Sequence, residues 1–161
     1  MFRSGMTCAH YGNVPQPPIR SFEDLAAWQF AMELADLIDD MIRTGPASQN
    51  AEFCRQIQKS SSKPAPQIAE GFMRFQPRES AYYYRVARAS LAETQTHLQR
   101  GTRRGYWSKE ASQKAGKIAE DAIRTTMGLL SSRLAVIKKE EREKLARNSR
   151  RNGHSARRRT K

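Results

Sequence analysis

The chain has two cysteines, three histidines and no long apolar run, and each scarcity removes a class of answer. Cys8 and Cys54 cannot make a disulfide framework. One lies in a Gly/Pro-rich leader and the other in a helical pattern, so the expected setting is reducing and cytoplasmic. No stretch approaches the roughly 20 apolar residues that a membrane span needs. Met1–Met6 lacks the apolar core of a signal peptide, so export is not expected either. Cys8-Ala9-His10 resembles half a metal site, but His97 and His154 lie far away in sequence. No closed four-ligand zinc set, Ser-His-Asp arrangement or phosphate-cradling glycine loop is present. The expectation is a non-enzymatic protein without metal or cofactor.

Acid is scarce as well. Sixteen Asp and Glu face 29 Lys and Arg, which leaves a net charge of +13. Such a balance favours a polyanionic partner, RNA or DNA before an anionic membrane surface, with a merely solubilising charge as the bland alternative. Residues 138–161 carry +8 of this excess, from eleven Lys/Arg and three Glu, and +5 remains for residues 1–137.

What is abundant is helical periodicity. Residues 1–20, with Pro15, Pro17 and Pro18, read as a flexible leader. Ser21-Phe22-Glu23-Asp24 has the form of a helix start, with Ser21 as N-cap and acids in the first turn. Leu25, Trp28, Met32, Ala35, Ile38 and Ile42 continue at helical spacing until Thr44-Gly45-Pro46 stops the helix. A second helix runs from about Ser48 to Phe75. Ile57, Ser61, Ala65, Ile68, Phe72 and Phe75 make its apolar face. Pro64 and Pro66 predict a kink or break near Ser62–Pro66. A third helix spans Arg78–Arg103, with Tyr84, Ala87, Leu91, Thr94 and Leu98 on one face. Gly101 and Gly105 bracket the next turn. Ser108 caps a fourth helix with two adjacent apolar stripes: Ile118, Ala122 and Leu129, then Ala119, Ile123, Leu130, Leu134 and Ile137. Together they form a wide apolar face. The expected fold is all-α. A leader covers 1–20, an antiparallel up-down-up-down four-helix bundle covers 21–137, and a basic helix extension with a disordered tail covers 138–161.

Gln67-Ile68-Ala69-Glu70-Gly71, within the run Phe53–Arg74, resembles the signature of the four-helix-bundle proteins encoded in intervening sequences of bacterial 23S rRNA genes. That family carries a Gln-Ile segment, then Ser-Ile-Pro-Ala-Asn-Ile-Ala-Glu-Gly, then an Arg. Phe22-Glu23-Asp24-Leu25-Ala26-Ala27-Trp28 and Ala89-Ser90-Leu91-Ala92-Glu93 are similar to two further family segments. The chain departs from the pattern at Lys63, at Gln67 and at Ala65, which is flanked by prolines instead of being one. The resemblance implies a homo-oligomer, commonly a ring of five subunits. A related branch comprises the accessory variability determinant proteins of diversity-generating retroelements, basic pentameric barrels that hold a reverse transcriptase and its RNA template. The implied function is an oligomeric nucleic-acid-binding scaffold. The alternative is an oligomeric protein–protein interaction module without a direct nucleic-acid role.

The motif reads first as packing. Ile68 and Phe72 enter a core, Gly71 admits a neighbouring helix, and Glu70 pairs with a basic side chain. A buried, perturbed Glu70 carboxylate is the functional alternative, but the sequence supplies no catalytic partner for it. Candidate phosphate contacts fall into three groups. Arg55, Lys59 and Lys63 are spaced by four on the second helix. Arg78, Arg85 and Arg88 share a face of the third helix, joined by Arg74, Arg100, Arg103 and Arg104. Arg147, Arg150, Arg151, Arg157, Arg158 and Arg159 belong to an acid-free tail that would neutralise phosphates without reading sequence. Solubilisation and polybasic lipid contact are the alternatives for that tail. Tyr82 and Tyr83 lie beside the second group, where they could stack on unpaired bases. Glu33, Asp36, Asp39 and Asp40 cluster on the first helix, as a solvated face or a docking surface for a basic partner such as another subunit.

Overall fold

The computed structural model describes residues 18–158, with residues 150–158 as backbone alone. The described chain is helical, without a strand among the described residues. Most of the leader, with Cys8 and His10, lies outside the described residues.

Ser21 does not open the first α-helix. Phe22–Asp24 form a 3-10 turn, held by the Asp24 carboxylate, which accepts the amides of Arg20 at 2.8 Å and Ser21 at 2.9 Å. Leu25 is extended, and α1 (Ala26–Thr44) begins after it. A second 3-10 turn, Pro46–Gln49, leads to Asn50. The Asn50 side chain accepts the Phe53 amide at 3.0 Å and caps α2 (Ala51–Ser61). The expected proline break falls at Ser62–Lys63, and α3 (Pro64–Met73) starts on Pro64. A proline fits there because a first-turn residue has no helical acceptor to lose. α4 (Pro77–Arg103) follows a short turn. Ser108 Oγ accepts the Ala111 amide at 3.1 Å at the head of α5 (Lys109–Arg158). At 50 residues, α5 is about 75 Å long.

Cross-helix contacts order the helices. On α4 and α5, Thr102 meets Ser112 at 2.7 Å, Arg88 meets Met127 at 2.9 Å and Arg78 meets Glu141 at 2.5 Å, so residue numbers rise on one helix as they fall on the other. Thr94 meets Ser60 of α2 at 3.1 Å and Ser90 meets Gln67 of α3 at 3.3 Å, again in opposite senses. Two apolar clusters fill the interior. One gathers Leu34, Ile38, Phe53, Ile57, Leu98 and Ile118. The other gathers Leu25, Ala31, Ile68, Tyr84, Ala87 and Leu130. The hydroxyls of Ser60, Ser61, Ser90, Thr94 and Thr126 are buried as well, and Thr94 donates to Ser60 close to the end of α2.

Four expectations change. The core face of α1 is Ala27, Ala31, Leu34, Ile38 and Met41, while Met32 stays 37% exposed. Small alanines hold the close contact, and a scan for large apolar residues overlooks them. Phe75 leaves the core face and is 99% exposed, because α3 ends at Met73. Gly101 is not a turn residue but a buried position of α4 against the Trp107 ring. Gly105, at φ +69°, makes the turn. Finally, α5 carries helix through Lys138–Arg147 and on to Arg158, into the segment that composition assigns to disorder. A helix already nucleated in a packed body gains one hydrogen bond for each residue it adds.

Candidate nucleic-acid interface

The Gln67–Gly71 motif holds α3 against α4. Ile68 is fully buried. A Cβ on Gly71 would lie 2.6 Å from Tyr84 Cε1 and 3.2 Å from Tyr83 Cβ, so the glycine sets the distance between the two helices. Gln67 accepts from Ser90, and Ala69 sits half-buried beside them. Glu70 is ion-paired with Arg74 one turn later, which raises the Arg74 pKa, the Glu70 hydrogen bond being the main cause. The motif is therefore occupied by packing and by a surface ion pair. Tyr84 itself is fully buried, and burial pushes its phenol pKa up against the opposing effect of Arg133.

The candidate basic residues divide by partner. Arg55 is bound by Glu52 at 2.7 Å, and Arg78 by Glu141. Arg74 is bound by Glu70 and lies 3.9 Å from Glu79, while Arg147 lies 3.7 Å from Glu143. Lys59, Lys63, Arg85, Arg88, Arg100, Arg103 and Arg104 have no ion pair among the described residues. Exposed pairs are worth little, so the paired guanidiniums can exchange partners.

Helical register sorts α4 further. Arg78, Arg85, Ala89, Ala92, Thr96 and Arg103 are all exposed and fall on one outward lane, with Arg88 and Arg100 at its edges. Of the two acids of α4, Glu79 lies off this lane and Glu93 borders it beside Arg100. Small side chains in the middle and arginines towards both ends make a shallow positive surface. Arg104 caps the far end, its guanidinium 6.0 Å from the Tyr106 ring centre. Tyr106 also accepts from Asn50 at 2.8 Å, the main cause of its lowered phenol pKa. Arg55, Lys59 and Lys63 belong to α2 and its junction with α3, and lie outside this lane. The side chains of Arg150, Arg151, Arg157 and Arg158, and all of Arg159, lie outside the described residues, although α5 carries the backbone to Arg158.

Sequence reasoning singled out Tyr82 but missed the exposed residues that precede it. Met73 and Phe75 stand at 65% and 99% exposure beside Arg74, and Tyr82 at 58% follows on the first turns of α4. The available signal was Gln76-Pro77: a proline at the first position of α4 requires α3 to have ended, which puts Phe75 in a turn. Elsewhere, no group of His, Cys, Asp and Glu able to hold a metal occurs among the described residues. No described helix is long and apolar enough to cross a membrane. Burial raises the pKa of the Cys54 thiol, which lies 3.1 Å from the Ala47 carbonyl oxygen.

No curated protein matches the sequence. A solved structure from Bacteroides thetaiotaomicron VPI-5482, described as a protein of unknown function from the S23 ribosomal protein family, superimposes with a TM-score of 0.57. The identity is 14%, over 65% of this chain and 94% of that one, so the likeness concerns the fold alone. The family model for the 23S rRNA-intervening sequence protein matches residues 23–128, from the first 3-10 turn through most of the packed part of α5. The chain belongs to the 23S rRNA-intervening sequence protein family.

Proposed function

We propose that this protein is a non-enzymatic, cytoplasmic scaffold that binds nucleic acid and assembles as a homo-oligomer. The observation that carries the reading is the arginine lane of α4, whose Arg85 and Arg103, with Arg88 and Arg100 beside it, have no ion pair among the described residues. A basic surface of this kind neutralises phosphates and releases counterions, and it positions nucleic acid with little base readout. The opposed numbering of the α4–α5 and α3–α4 contacts supports an antiparallel up-down-up-down order for the whole bundle. Family membership and the high charge support the finer reading: a ring of five subunits serving a diversity-generating retroelement, with a reverse transcriptase and its RNA as partners. Repetition around an axis would multiply the lane and raise avidity without new contacts.

The test is binding of the full chain to a structured RNA and to duplex DNA across a salt series. Phosphate neutralisation gives a log–log slope of roughly −0.7 per contact on single strands and about −0.9 on duplex DNA. Arg85→Glu with Arg103→Glu should weaken binding at least tenfold and flatten the slope. Binding that is absent at moderate salt in the parent chain would sink the nucleic-acid reading. The second reading, an oligomeric protein-interaction module, is favoured by the half-exposed apolar residues Met32, Leu134 and Val136. Self-association with no affinity for either polymer would establish it.

A further inference from the structure

We propose that the α3–α4 turn and the first turns of α4 form a stacking site for unpaired nucleotides. This proposal rests on the nucleic-acid reading above and names the kind of polymer bound at this end of the α4 lane.

The backbone puts the aromatics there. α3 stops at Met73, Arg74 and Gln76 are extended, and Pro77 starts α4. Phe75, midway through the turn, has no helix face to bury it and stands 99% exposed. A single exposed ring is ordinary, but Met73 and Tyr82 are also exposed on the same turn and the first turns of α4, so the apolar surface here is a group. Next to Arg74 is a hollow of about 400 Å³ lined by Arg74, Arg78, Glu79, Tyr82 and Tyr83. The Tyr82 and Tyr83 rings meet edge to face at 5.3 Å. The Arg74 guanidinium lies 5.2 Å from the Tyr83 ring centre. Tyr82 remains 58% exposed.

These groups match a nucleotide in two parts. Flat apolar rings and a guanidinium plane offer stacking surfaces for a base. Arg85, three residues along α4 from Tyr82 and without an ion pair among the described residues, is placed for the adjoining phosphate. Arg74 and Arg78 are held by Glu70, Glu79 and Glu141, exposed pairs that a phosphate can displace. A duplex hides its base faces inside the stack, so only an unpaired base can use Phe75 and Tyr82. A protein partner could cover the same rings, but Arg85 carries a charge that no carboxylate meets among the described residues, and this favours an anionic occupant although Glu79 also lines the hollow. A nucleotide carries the flat face and the charge in one unit.

The test uses the full chain with Phe75→Ala, Tyr82→Ala and Phe75→Trp. Each is titrated with a labelled single-stranded oligoadenylate and with an RNA duplex of equal length. Both side chains are exposed, so melting temperatures should be unchanged, and this is checked first. Each alanine variant should bind the single strand on the order of tenfold more weakly, the effect expected for one stacked base. Duplex affinity and salt slope should not move, since stacking releases no counterions. Phe75→Trp should retain affinity and lose fluorescence on binding the single strand. Equal losses on both polymers, or no loss on the single strand, would overturn the proposal while leaving the basic scaffold in place. If the parent chain binds neither polymer, both readings fail. Loss of self-association with nucleic-acid binding unchanged would assign the turn to a protein contact and overturn the stacking site.

Discussion

Among single residues, glycines and one carboxylate give sharp tests. Gly71→Ala would drive a methyl into Tyr84, which is fully buried and has nowhere to go. Overpacking of this kind costs about 1–3 kcal/mol, read as a lower urea midpoint. Gly128 on α5 faces open space, with nothing within 4 Å of where a Cβ would stand. Gly128→Ala should therefore raise stability by roughly 0.5–1 kcal/mol from helix propensity alone. If the two substitutions had equal effects, the close α3–α4 approach would be wrong. Asp121 adds a pH test. Its hydrogen bond to Arg124, at 2.8 Å, is the main cause of its lowered pKa, with Lys117 assisting and burial opposing. A carboxyl whose folded pKa lies below its unfolded value of about 3.9 stabilises the fold above that pH. The contribution disappears as pH falls through the lower folded value. Asp121→Asn should therefore flatten the acid limb of a stability-against-pH curve below about pH 4 and reduce stability at neutral pH.

Among the helices, α5 has two parts. Its packed half supplies Ala115, Ile118, Ala119, Ala122 and Leu130 to the core. From Lys138 to Ser149 every side chain is exposed, and Glu141 reaches back to Arg78. Removing residues after Glu143 should therefore leave the urea midpoint nearly unchanged while lowering nucleic-acid affinity and the salt slope, because Lys144–Ser149 are exposed and the removed segment is rich in charge. A large drop in stability would mean that the end of α5 packs on the body. The α2–α3 break was legible because Pro64 and Pro66 each lack an amide proton. The early end of α3 was marked by Gln76-Pro77 alone, against Phe72 and Phe75, which keep helical spacing up to the turn.

Over the molecule as a whole, an acidic cluster and an arginine lane lie on different helices. Glu33, Asp36, Asp39 and Asp40 lie exposed on α1, and the arginine lane lies exposed on α4. Half-exposed apolar residues remain as well, Met32 on α1 and Leu134 on α5. Met32→Glu combined with Leu134→Glu should reduce the mass seen by sedimentation if these residues are covered by further copies of the chain. The far-ultraviolet spectrum of the monomer should not change. An unchanged mass would place any subunit contact elsewhere.

Spacing and local backbone chemistry were enough to reveal the helical content, the proline break, the stop at Gly45-Pro46 and the family signature around Gln67–Gly71. A linear chain displays these directly. It also displays its basic residues, but not their partners. Arg78 meets Glu141 from 63 positions away, and only the distance between α4 and α5 makes them a pair. Packing in three dimensions was needed to show that α1 turns its alanines inward, that Gly101 lies under Trp107 and that Phe75 stands in solvent. Periodicity shows that a helix has an apolar side. How closely a neighbouring helix approaches that side, and where the neighbour ends, decides which residues are covered and which are left for a partner.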